Sequence, residues 1–182
     1  GGLIWEFTYV GFSLLMIVGV VVAHGYGAGV KDDVATGVRM GLWIALVISI
    51  PWMALGWFLT DLMALTGQDP EVLAVGRLYL QAMIWHFPAT FMFMVLRQVV
   101  TGLSKPLIIT LIMVVAVPLN LLLNIMLVFG FAGLPALGVV GAGVATVAVA
   151  WLKLLALIIY IVRHPELSEF SPFGTMFRFD GA

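Results

Sequence analysis

The chain contains no cysteine, which excludes disulfides, thiolate metal sites and thiol catalysis. Charge is scarce as well. Only 9% of the 182 residues are Asp, Glu, Lys or Arg, and 8 basic side chains against 9 acidic ones leave a net charge of −1. So balanced a chain has no positive field to gather phosphates, so nucleic acid is not expected as a partner. The groups that intramembrane catalysis needs are missing too: His24, His86 and His164 are far apart, no HExxH occurs, and no apolar run holds a pair of aspartates. Gly25, Gly27 and Gly29 form a lone glycine-rich loop without the preceding strand or the third spacing of a dinucleotide fingerprint. No enzyme activity and no cofactor are therefore expected. The first apolar run begins at Gly1 without a basic flank, so it does not read as a cleavable signal peptide.

What the chain has in excess is hydrophobicity. Apolar residues make up 63% of it and the mean hydropathy is +1.19, values that belong to lipid rather than to a soluble globular domain. Apolar runs of about 20 residues, long enough to cross the hydrocarbon core, place five spans at 3–23, 37–59, 78–101, 107–129 and 138–162. The expected fold is all-α, a polytopic membrane helix bundle. The connections are the glycine-rich loop from His24, an acidic loop from Thr60 to Gly76, a turn at Ser104-Lys105-Pro106, and Gly130 to Leu137. Residues 1–164 form a helical lobe, and the polar, aromatic 165–182 tail reads as a linker.

Alternate connections carry Lys31, Arg39, Arg97, Lys105, Arg163 and Arg178 on one side and only Arg77 on the other, so the first set is cytoplasmic by the positive-inside rule. This arrangement puts Gly1 outside with no preceding helix to deliver it there. A piece of a longer membrane protein is expected.

Polar groups within spans each cost a few kcal/mol near the bilayer centre unless paired or solvated. Asn120 and Asn124 are one turn apart on one helix face, just after Pro118, in an otherwise apolar run. Proline lacks an N–H and so frees a carbonyl one turn back. The amides serve either as glue between helices or as groups lining an aqueous cleft for a cation or substrate. Thr146 lies among the small residues Gly138, Gly141, Gly143 and Ala145, which allow a neighbouring helix to come close. Weaker cleft candidates are Glu6, which is equally a wetted helix end; His86, a proton relay or a hydrogen-bonded bundle residue; and Gln98, which with Arg97 equally anchors at headgroups. Lys153 can snorkel. Pro51, Pro88 and Pro118 fall within predicted spans, where each would bend its helix.

Taken in order, Leu96-Arg97 through Gly102-Leu103-Ser104-Lys105-Pro106, Pro118-Leu119-Asn120 with Asn124 and Gly130, and Leu134-Pro135-Ala136-Leu137-Gly138 through Thr146 resemble the multidrug and toxic compound extrusion (MATE) transporters, in particular their NorM-like bacterial branch. The Gly25–Arg39 loop, Asp69-Pro70-Glu71 and Trp85-His86-Phe87-Pro88 extend the resemblance over nearly the whole chain.

The resemblance implies twelve helices in two six-helix lobes around a cleft that opens alternately to either side, with the present spans as helices 2–6 and 165–182 as the cytoplasmic inter-lobe linker. It implies a multi-pass protein of the bacterial inner membrane that exports small organic cations or amphipathic drugs in exchange for Na+ or H+, with Na+ the one metal ion implied. It also implies a C-terminal lobe as partner. In some relatives an asparagine and an aspartate on the fifth helix and a threonine on the sixth take part in cation-linked transport, and by spacing these fall on Asn120, Asn124 and Thr146. Asn124 departs from the acidic form and cannot titrate. Two other readings remain: a lipid-linked oligosaccharide flippase of the same superfamily, disfavoured by the few deep basic residues, and a non-transporting membrane scaffold.

Overall fold

A computed structural model describes residues 31–164 apart from 66, 68 and 132–134, with backbone alone at 31–34, 60, 62 and 63. The described residues form five helices: α1 Lys31–Ala64, α2 Pro70–Met83, α3 His86–Gly102, α4 Leu107–Phe129 and α5 Gly138–Arg163. The fold is all-α, and four stretches are long and apolar enough to cross a membrane: Ala35–Leu59, Pro70–Gly102, Leu107–Phe129 and Gly138–Arg163. They correspond to the second through fifth predicted spans. The first span, the glycine-rich loop, Glu6 and the 165–182 tail lie outside the described residues.

Helix ends follow from local chemistry. Asp69 caps α2 by accepting a hydrogen bond from the Glu71 N–H at 2.9 Å, and Pro70 occupies the first turn, where its missing N–H costs nothing. The Asp69-Pro70-Glu71 segment thus starts a helix within the predicted acidic loop, which shrinks to 65–69. Ser104 ends α3 with φ 60°. Its N–H bonds to the Thr101 carbonyl and the Lys105 N–H to the Val100 carbonyl, both at 3.0 Å, the two-bond Schellman closure that normally uses glycine. Gly130, φ 73°, plays the same part for α4, with the Phe131 N–H on the Met126 carbonyl.

Contacts divide the chain into two compact units. One, described over 31–48, 91–110 and 155–164, buries Val38 and Leu42 of α1, Phe91, Leu96 and Val100 of α3, and Leu157 of α5. Here the Lys105 ammonium donates to His164 Nε2 at 3.1 Å, and the Tyr160 ring lies 5.4 Å from the His164 imidazole. The other, Ser49–Thr90 with Leu111–Leu154, buries Trp52, Ile84, Ala116, Ala145, Val149 and Leu154. Large apolar side chains on α4, among them Val114, Val117, Leu121 and Phe129, are exposed. That is the expected inversion for lipid, where apolar surface gains little from hiding and helices associate through close packing instead.

Close packing is visible at two glycines of the second unit. A Cβ on Gly141 would run into the Leu127 backbone carbonyl, and one on Gly143 would stand 3.0 Å from the Tyr79 ring. The first contact joins α4 and α5 into a hairpin, reinforced by the Leu137 N–H on the Leu127 carbonyl at 2.9 Å.

Candidate functional site

The third predicted span, 78–101, was expected as one helix and is instead divided between α2 and α3. Pro88 explains the division. Without its N–H the Ile84 carbonyl loses its α-helical donor, and the Phe87 N–H takes it at 3.4 Å in a tighter turn, as the Trp85 N–H takes that of Ala82. Pro88 therefore sits in the first turn of α3, whereas Pro51 and Pro118 lie inside continuous helices. The indole Nε1 of Trp151 on α5 donates to the Trp85 carbonyl at 3.1 Å, satisfying a backbone group at the break as intramembrane breaks require.

At the start of α3, His86 Nε2 lies 3.0 Å from the hydroxyl of Thr90, one turn on. Its Nδ1 is buried without a partner among the described residues. Lys153 is half-buried on α5, in the same unit. Gln98, half-buried on α3, belongs to the other unit.

Asn120 and Asn124, both half-buried on α4, are brought directly together. Asn124 Nδ2 donates to the Asn120 backbone carbonyl at 2.8 Å and to Asn120 Oδ1 at 3.0 Å. A backbone carbonyl can only accept, so it fixes which end of the Asn124 amide faces inward and which atom of Asn120 meets it. Both Asn124 donors are then used. What remains for a visitor is the Asn124 carbonyl oxygen and the Asn120 amide nitrogen, neither of which has a side-chain hydrogen-bond partner among the described residues.

Thr146, half-buried on α5, donates its hydroxyl to the Ala142 carbonyl at 2.9 Å within its own helix, leaving the oxygen lone pairs to accept. From the Gly141–Leu127 contact, the α-helical rise of about 1.5 Å per residue puts Asn124 roughly 4–5 Å, Thr146 roughly 7–8 Å and Asn120 roughly 10 Å along the hairpin. The threonine is level with the interval between the two amides. Such oxygens suit a hard monovalent cation or a polar substrate group. Among the described residues no three His, Asp or Glu side chains converge to hold a metal ion.

Sequence reasoning missed the Trp151–Trp85 bond and the Lys105–His164 contact. Each joins residues distant in sequence, and the only cue was that a tryptophan N–H within a span needs an acceptor.

Residues 2–126 match the family model described as MatE. A "Probable multidrug resistance protein NorM" from Synechocystis sp. is 34% identical over 170 residues, 93% of this chain and 37% of the relative. One of the same description from Rhizobium meliloti is 36% identical over 160 residues, 88% of this chain and 34% of the relative. The "Multidrug resistance protein NorM" of Aliivibrio fischeri is 36% identical over 157 residues, covering 86% of this chain and 34% of its own. The chain thus spans just over a third of the length of the curated relatives it matches. With the family model matching residues 2–126, more than half of its length, this multi-pass membrane chain belongs to the MATE family.

Proposed function

We propose that the chain forms part of a secondary antiporter that exports cationic or amphipathic organic compounds across a bacterial inner membrane while Na+ or H+ runs inward. The observation that carries this reading is the Asn120–Asn124 pair, whose internal bonds leave one amide oxygen and one amide nitrogen available at mid-span. Asn124 cannot release a proton, so the pair and Thr146 supply neutral ligands to the cleft, and any carboxylates that titrate belong elsewhere. Unequal affinity of ion and drug for inward-open and outward-open states is all that coupling requires.

In this reading the 3–23 run is helix 2 of the first lobe, and α1, α2 with α3, α4 and α5 are its helices 3–6. A second lobe, reached through the 165–182 linker, completes the cleft. Transport, not catalysis, is the family's chemistry. Ethidium efflux from proteoliposomes holding the intact polypeptide, under an imposed Na+ or H+ gradient, tests the proposal. Efflux driven by one gradient supports it, and none under either gradient overturns it.

A further inference from the structure

Helix α2 is held differently from its neighbours. None of its 14 residues is buried. Its C-terminal end is the break at Ile84 and Trp85, gripped on both sides. Ile84 packs so tightly on α1 that a Cβ at Gly56 would meet its methyl at 2.8 Å, the Trp52 and Phe87 rings stack at 5.9 Å, and Trp151 of α5 bonds to the Trp85 carbonyl.

Above the break α2 and α5 run side by side. Trp85 meets Trp151, and Tyr79 with Met83 meets Gly143. Val139 lies one turn farther out on α5 than Gly143. A groove of about 470 Å³ opens there between Val72, Val75, Gly76 and Tyr79 of α2 and Val139 of α5, with Asp69 and Glu71 also in its lining. The two carboxylates have local duties: Asp69 caps the helix and Glu71 complements its N-terminal dipole. They do not make the groove a ligand site. Arg77 ties α2 to Asp61 of α1 through an exposed ion pair, a contact of little worth; the apolar walls and the clamped, broken base still describe an arm with room to move.

We infer that α2 is a hinged arm that rocks about the Ile84–Trp85 break, closing and opening the groove against the outer end of α5, with the Trp151–Trp85 hydrogen bond as its pivot clasp. The motion follows from packing alone; that it gates efflux rests on the export reading above. Pro88 keeps the hinge open, because any other residue there restores a donor for the Ile84 carbonyl and lets one rigid helix form. Weakly packed segments of this kind open at low free-energy cost.

Disulfide formation reads the motion directly. In the intact polypeptide, with any other cysteine replaced, Val75→Cys and Val139→Cys put thiols on opposite walls of the groove. A bond forms only when their Cβ atoms come within about 3.5–4.5 Å. Copper-phenanthroline should oxidise the pair in membranes. Trp151→Phe keeps the ring and removes the donor, so the oxidation rate should rise about fivefold, the effect of one ordinary hydrogen bond. Pro88→Ala should slow it by a similar factor.

A pair that never cross-links, or a rate untouched by Trp151→Phe, overturns the hinge. Should Pro88→Ala fail to insert, the Trp151→Phe rate still decides. Cross-linking that responds as expected while ethidium efflux is absent supports the hinge and sinks the export reading instead.

Discussion

The Leu127 carbonyl occupies the space that a side chain at Gly141 would need, its carbon 2.6 Å from the would-be Cβ. Backbone cannot swing aside as a flexible side chain can, so any residue but glycine must spread the α4–α5 hairpin. Gly141→Ala should therefore cost about 1–3 kcal/mol of stability, the range for overpacking a tight contact. Thermal unfolding of the detergent-solubilised protein checks it, with a lowered midpoint expected.

Ser104 gives the opposite expectation. It holds φ 60° in the closure of α3, a backbone region that costs a residue with a Cβ about 1–2 kcal/mol. Ser104→Gly keeps both closing bonds and removes that cost, with part of the gain lost to the freer unfolded chain. A raised unfolding midpoint is expected, and Ser104→Val should lower it.

Thr146 can be separated from its helix-internal bond by a pair of substitutions. Thr146→Val preserves shape and deletes the oxygen, while Thr146→Ser keeps the hydroxyl on Ala142. If the oxygen serves the cleft, the valine variant should lose ion-driven ethidium efflux and the serine variant should retain most of it, at equal expression. Equal efflux from both would assign the hydroxyl to its own helix.

Much of this architecture was legible from residue order. Apolar runs located the spans at 37–59, 107–129 and 138–162 within a few residues of helices in the structure, because lipid forces every backbone group into helical pairing. The one-turn spacing put Asn120 and Asn124 on one helix face, but the bonds between them became visible only in the structure. The division between α2 and α3 was not legible. Pro88 lies in an apolar run that looks continuous, and only the tertiary grip of Ile84 and Trp85 shows the chain breaking before the proline. The early start of α2 was hidden for another reason: Asp69-Pro70-Glu71 has a loop's composition and also a helix cap's, and the cap geometry decides between them.

In the proposed reading the 182 residues supply only part of one lobe of the cleft, so vesicles holding only this chain should show no gradient-driven ethidium efflux. Robust efflux from them would contradict the two-lobe reading and leave the helical assignments untouched.

The central claim is that the Asn120 and Asn124 amides line a wet cleft and do not merely brace α4. Replacing both by leucine in the intact polypeptide, then measuring gradient-driven ethidium efflux in proteoliposomes at matched insertion, tests it most directly. The account predicts a loss of about tenfold or more, the scale of removing one hydrogen-bonding ligand from a charged group. Efflux at the parent rate from a normally inserted double variant would contradict it.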